Sequence, residues 1–489
     1  MPHAFPLSWL LIAFTLYTAM LFFVSWLTSR KADSGSYFLG NKKSPWPIVA
    51  YGMIGTSISG VTFISVPGNV INTNFYYMPL VLGFVVGYAV IAWVLLPLYY
   101  KMNLTSIYTY LERRFGFFTY RTGASVFMVS RILGAAVRIF VVVLVLHQFL
   151  PSSIPFWSVA FIFMFLIFLY TFKGGVKTII WTDVLQTTFM LLAVILTVVY
   201  IAKEMGWGFA DLGSAVSSSP YSSWFNMDWS AKTNVFKQFI SGIFITIVMT
   251  GLDQEMMQKN LTCKSLKDAQ KNILTTSGTL VVINFLFLVL GAVLVLYANA
   301  RLGGMEGLGI TKSDKLFSTI ASSYLGLGVG LFFIIGLISA SYPSAGGALT
   351  SLTTSFCIDF IGFNNPKKPY SDTRKKQIRQ RAHAGFALLF FFLIVLLYII
   401  NNQAVIDLVY LLASYTYGPL LGFFFFGILT KHQVKDKYMP FVAILSPVLC
   451  YLLDLAGKYW LGFGFGFTIL ILNGLFTFMG MWLCRKRAA

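Results

Sequence analysis

Charge is scarce in this chain. Asp, Glu, Lys and Arg make up 11% of its 489 residues, and only 16 residues are acidic. So few charges cannot cover the surface of a water-facing globular domain, so that class is excluded. Histidine is rarer still: His3, His147, His383 and His432 fall at a chain end, at span edges or in loops. They offer no buried acid, base or nucleophile, which makes a membrane-embedded enzyme a poor reading. The four cysteines, Cys263, Cys357, Cys450 and Cys484, are scattered and lack metal-ligand spacing. Neither a disulfide framework nor a metal centre is expected.

What the chain has is apolar length. Hydrophobic residues make up 57% of it, 48 of them Phe, and many runs reach the roughly 20 residues that cross a hydrocarbon core as a helix. The expected fold is an all-α polytopic membrane protein of about thirteen transmembrane helices. Its formal charge of +20 follows from topology. Of 36 basic residues, 27 fall in loops on one side of the membrane, seven on the other, and Arg131 and Arg138 lie inside an apolar run. The excess marks the cytoplasmic side, with the N-terminus outside and the C-terminus inside. A nucleic-acid partner is not needed to explain the charge. The first apolar segment lacks a basic start and runs into Ser29, Arg30 and Lys31, so it reads as a retained helix rather than a cleaved leader. The expected setting is a plasma membrane, bacterial inner membrane in type, with the lipid bilayer and a small solute as partners and a monomer as the working unit.

Residues 52–68, GMIGTSISGVTFISVPG, are crowded with glycine and hydroxyl side chains inside an apolar span of about 46–73. In lipid such a patch survives only where protein buries it or it lines a cavity. The seventh span, about 235–252, is also interrupted, by Gly242 and Gly251, and runs into the polar sequence DQEMMQKN from Asp253. Broken helices at corresponding places in two halves point to an inverted-repeat transporter with its site near the midplane. The division expected is a leading helix and cytoplasmic loop (1–45), a first five-helix repeat (46–202), an extracellular loop (203–233), a second five-helix repeat (234–437) and two trailing helices (438–489). The loop 203–233 carries Trp207, Trp224 and Trp229 and reads as a lid over an entry vestibule. A tight turn is expected at Lys173, Gly174 and Gly175, and a basic cytoplasmic loop from Lys367 to Arg381.

Four segments carry a resemblance. YTFKGGVKTIIWTDVLQ, from Tyr170 to Gln186, is the most specific; beside it stand YFLGNKKSPW, the small-residue second span with Thr62, Phe63 and Pro67, and DQEMMQK from Asp253. Together they resemble the sodium/solute symporter family over nearly the whole chain. The resemblance implies the five-plus-five inverted-repeat fold and sodium-coupled solute uptake by alternating access. A proton-coupled or sodium-independent carrier of the same fold, or a transporter-like sensor, is the alternative; a sensor usually appends a signalling domain, and few residues follow Cys484.

Sodium needs converging oxygens, which a helix break and hydroxyls on a facing helix supply. By resemblance the ligands are the carbonyls of Gly55, Ile58 and Ala340 and the hydroxyl of Ser344. Pro343 stands where the family usually has a second serine, and Ser341, a freed carbonyl or a water is left to complete the set. Some members bind a second sodium through hydroxyls one turn further on, where this chain has Gly346 and Gly347. One sodium per cycle is therefore expected, although Asp183, which contributes to that second site, is present. For Ser344 the plainer alternative is helix packing through small residues.

Ser57, Ser59 and Thr62 match pocket-lining positions and suit a polar solute such as a sugar, polyol, acid sugar or carboxylate; bonding back to their own helix is the alternative. Gln254 is expected to line an exit, whereas Gln258 fits a solvated loop equally well. Arg131 and Arg138 are seven apart, share one helix face and must point inward, since a guanidinium is costly in lipid. Arg138 either meets an anionic solute or pairs structurally with Asp183 or carbonyls; for Arg131 the structural role is favoured.

Overall fold

The computed structural model describes residues 7–30, 34–172, 175–363, 370–400, 405–461 and 464–486. His3, Lys31, residues 173–174 of the expected turn, 364–369, which include the start of the expected basic loop, and Arg487 lie outside the described residues; from Asp372 to Arg381 that loop is instead helical, the first turns of a helix that runs to Ile400.

The described chain is helical. In order come α1 (Leu7–Ser29), α2 (Trp46–Ser57), α3 (Gly60–Thr73), α4 (Met78–Lys101), α5 (Phe117–Gln148), α6 (Phe156–Thr171), α7 (Gly175–Glu204) and α8 (Val235–Gly251). Then follow α9 (Gln254–Asn260), α10 (Leu266–Arg301), α11 (Leu327–Ile361), α12 (Asp372–Ile400), α13 (Val405–Leu429), α14 (Met439–Leu461) and α15 (Ile469–Leu483). Nine helices are long and apolar enough to cross a membrane, up to eleven if each bent pair counts as one span, among the described residues. Outward-facing residues such as Phe23, Trp93, Phe161, Phe392 and Leu452 are large and apolar, as a lipid-facing surface requires.

Both expected interruptions are present. α2 and α3 meet at 57° and α8 and α9 at 70°. Gly242, however, does not interrupt its helix. A Cβ there would strike the carbonyl oxygen of Leu80, and Gly242 and Gly83 let α8 and α4 approach backbone to backbone. The break comes later, at Leu252 and Asp253, after a π-turn over Ile247–Gly251. Pro343 lies inside α11 without ending it; lacking an N–H, it leaves the Ser339 carbonyl without its helical donor.

The 203–233 loop contains a short helix, Phe209–Ser217, and is tied to the bundle by its aromatics. Trp224 packs on Phe285 and Trp229 stacks on Phe236, while the Phe75 N–H donates to the Ser223 carbonyl. His383, expected at a loop or span edge, is buried within α12, each ring nitrogen bonded to a threonine hydroxyl, Thr171 and Thr353.

Candidate functional site

The two helix breaks are finished differently. At the second, Tyr99 and Tyr108 donate to the freed carbonyls of Gly251 and Leu252 at 2.8 and 2.9 Å. Asp253 caps α9 by accepting from the N–H groups of Glu255 and Met256. That break is closed by its own neighbours.

The first break is left open. Ile58 and Ser59 are extended (φ −94°, ψ 97°; φ −86°, ψ 173°), and the Ser59 side chain makes no cap bond to α3. The carbonyls that end α2 and the N–H groups that begin α3 therefore lose their helical partners there. A cation is favoured at the first end and an anion at the second. Gly55 is pressed on α7, where a Cβ would collide with the Thr187 hydroxyl, and Gly60 is pressed on α5, where a Cβ would collide with Val142 and lie 3.7 Å from the Arg138 carbonyl oxygen.

Ser57, Ile58, Thr62 and Arg138 line one narrow cavity of about 80 Å³, with Arg131 and Asn284 also on its wall. Ser59 is buried in the break but is not on this wall. Gln254 is not there either. It is fully buried, its carbonyl oxygen accepting from the Ile107 N–H and its amide donating to the Thr105 carbonyl, so it clamps the segment that precedes α5. Gln258 is buried too, donating to the Phe38 carbonyl and the Thr354 hydroxyl, which replaces the expectation of a solvated loop.

Ala340 and Ser344 lie fully buried on α11, which packs against α2 and α3. The hydroxyls of Ser344, Ser341 and Ser57 are buried with no hydrogen-bond partner. Buried polar atoms are nearly always satisfied, so these hydroxyls, which share α2, α3 and α11 with the equally unpartnered Ser65, Tyr342 and Thr350, leave oxygens free to take a ligand. A sodium ion as transported substrate fits such oxygen donors, and Ser341, three positions before Ser344, shares its face of α11.

A buried charge network was not legible from spacing. Arg131 pairs with Glu255 and reaches Asp253 at 3.5 Å; Lys259 pairs with Asp183 at 2.7 Å and stands 3.7 Å from Glu255; none of the five side chains is more than 4% exposed. Tyr417 donates to Asp253 at 2.8 Å and Thr56 to Asp183 at 3.0 Å. Asp183 is thus taken by Lys259, and Arg131 by Glu255 and by Asp253, the cap of α9. One signal existed: Glu255 and Lys259 are four apart on a helix and share a face. All seven residues of α9 are buried.

Comparison with known proteins agrees with this architecture. The sodium/sialic acid symporter NanT of Aliivibrio fischeri is 24% identical over 86% of this chain and 83% of its own length. The sodium-coupled monocarboxylate transporter 2 of Danio rerio is 22% identical over 89% of this chain and 68% of its own. A substrate-bound, outward-open structure of a Na⁺-coupled sialic acid symporter matches 98% of this chain and 99% of that one with a TM-score of 0.82 at 19% identity, which shows the fold. The model of the sodium:solute symporter family matches residues 37–436, most of the described bundle. The chain belongs to the sodium:solute symporter family.

Proposed function

We propose that this chain is a sodium-coupled symporter that imports a small carboxylate-bearing solute by alternating access, one sodium per cycle. It is a transporter rather than an enzyme. The observation that carries the reading is the open, uncapped break between α2 and α3, together with the orphaned hydroxyls of Ser57 at the end of α2 and of Ser341 and Ser344 on α11, which packs against both helices. In this reading the carbonyls of Gly55, Ile58 and Ala340 and the hydroxyl of Ser344 hold sodium. Ser57, Thr62 and Arg138 hold the solute at the start of α3, with Ser59 shaping the turn between the two sites. Gln254 acts from outside the cavity, by holding the segment before α5.

The anionic solute is supported by Arg138 on the cavity wall and by the positive end of α3 next to it. The relatives named for sialic acid and for monocarboxylates also carry acids. Sodium between a broken helix of one half and a helix of the other biases the two access states only through its differential affinity for them. Two shorter apolar helices, α6 and the Tyr415–Leu429 part of α13, complete thirteen spans in this reading. They are arranged as a leading helix, repeats at 46–202 and 234–437, and two trailing helices. The monomer works in a bacterial inner membrane with the N-terminus outside and the C-terminus inside, without a nucleic-acid partner.

The test is uptake into proteoliposomes holding the purified chain, with a short labelled monocarboxylate and an acid sugar as separate arms. An inward sodium gradient is expected to drive accumulation of at least one. Uptake that ignores sodium and follows a proton gradient overturns the ion assignment.

A further inference from the structure

The Lys259 ammonium is held as an ion would be. Its Nζ stands 2.5 Å from the Thr56 hydroxyl, 2.7 Å from Asp183 Oδ2 and 3.7 Å from Glu255 Oε1. These oxygens come from three helices, α2, α7 and α9, and the four side chains are at most 2% exposed. Two carboxylates and a hydroxyl converging on one buried point form an environment for a hard monovalent cation, and protein occupies it.

The space around this point is shaped for that arrangement. A Cβ on Gly347 would collide with Oε1 of Glu255, and a Cβ on Gly346 with the Tyr170 hydroxyl. The side-chain positions of this turn of α11 are therefore filled from neighbouring helices. The charges are unevenly matched. Glu255 meets both Arg131 and Lys259, whereas Lys259 is the cation paired with Asp183, whose other oxygen, Oδ1, is buried without a hydrogen-bond partner. Two cations face three anions, a net charge of −1 when all are ionised. Deleting Lys259 would make it −2, in a place where an uncompensated charge is strongly disfavoured.

We propose that Asp183, Thr56 and Glu255 form a second cation site and that the Lys259 ammonium is its resident occupant, a tethered positive charge in place of one drawn from solution. This rests on the reading of one transported sodium at the open break and explains why one is enough. Because the resident charge is covalently attached, it is never released, and it holds α2, α7 and α9 together while the first site fills and empties. Removing the amine would convert the closed site into one that takes sodium.

The test is equilibrium binding of radioactive sodium to the purified full-length chain, with no solute and no transport step. One sodium per chain is expected for the wild type and for Lys259→Arg, two for Lys259→Gln, and one again for the double variant Lys259→Gln/Asp183→Asn. A folded Lys259→Gln protein that still binds one overturns the proposal. If that variant fails to fold, the wild-type count decides: one supports the resident cation and two overturns it. A wild-type count of zero sinks the open-break sodium site instead, and the gain of one ion in Lys259→Gln still reads the second site separately.

Discussion

Gly347 of α11 faces the Glu255 carboxylate so closely that no side chain fits between them. Glu255 is the acid that holds Arg131, so the glycine is a condition for that buried pair. Gly347→Ala is expected to push Glu255 off Arg131 and to destabilise the protein by about 3–5 kcal/mol, the usual cost of breaking a buried ion pair. Thermal unfolding in detergent checks this, with Gly134→Ala as the control, because a Cβ at Gly134 meets open space. Equal melting of the two variants would show that the pair does not depend on the glycine.

Ser344 makes an opposite pair of predictions in two buffers. Its hydroxyl is buried and unpartnered, so Ser344→Ala is expected to leave stability unchanged or slightly raised without sodium. With sodium, losing a charge-assisted ligand worth about 1.5–3 kcal/mol raises the half-saturating concentration by about 10- to 100-fold. A sodium titration of the melting temperature reads both. A variant that loses stability in sodium-free buffer would mark Ser344 as a packing residue.

Arg138→Gln is expected to weaken binding of a carboxylate solute by about 10- to 100-fold, the loss of one charge-assisted contact, while a neutral amide analogue is affected little. Competition against labelled solute in proteoliposomes compares the two. An equal loss for acid and amide would place Arg138 in the scaffold instead.

Asp436 caps α5 from the loop before α14: it accepts from the Phe118 N–H at 2.8 Å, the Thr119 N–H at 2.7 Å and the Thr119 hydroxyl at 2.6 Å. Asp436→Ala is expected to lower stability by about 1–2 kcal/mol, as lost helix caps do, without altering the steepness of sodium dependence. Unfolding and uptake measured on the same preparation check both halves.

Burial pushes the Cys263 thiol up to about 12. Since the thiolate is the reactive form, Cys263 is expected to resist maleimide at pH 7–8 and to gain reactivity only as the pH nears that value. The half-buried Cys484 labels first. Mass spectrometry of labelled peptides decides between them, and early modification of Cys263 would mean that this loop opens in solution.

Much of the fold was legible because hydropathy is a local property. Apolar runs locate the spans, and the glycine and hydroxyl crowding of residues 52–68 locates the α2–α3 break to within a few residues. At Gly242 the same reasoning failed, since a glycine that loosens a helix and one that lets two helices touch look alike in a linear sequence. Gln254 was misplaced for a related reason: a buried amide binds solute or backbone according to what folds against it, and here the 105–107 segment does.

The amino-acid sequence alone determined that this protein lives in a bilayer, where the first of its two broken helices breaks, and which small and hydroxyl residues stand at that break, because each follows from composition over a few turns. Tertiary structure decided which charges are neighbours. Lys259 meets Asp183 across 76 positions and Arg131 meets Asp253 across 122, and no spacing rule reaches that far. The energy of a buried charge depends on the oxygens and cations that surround it in space, so the occupancy of the Asp183 site became readable only once the helices were packed.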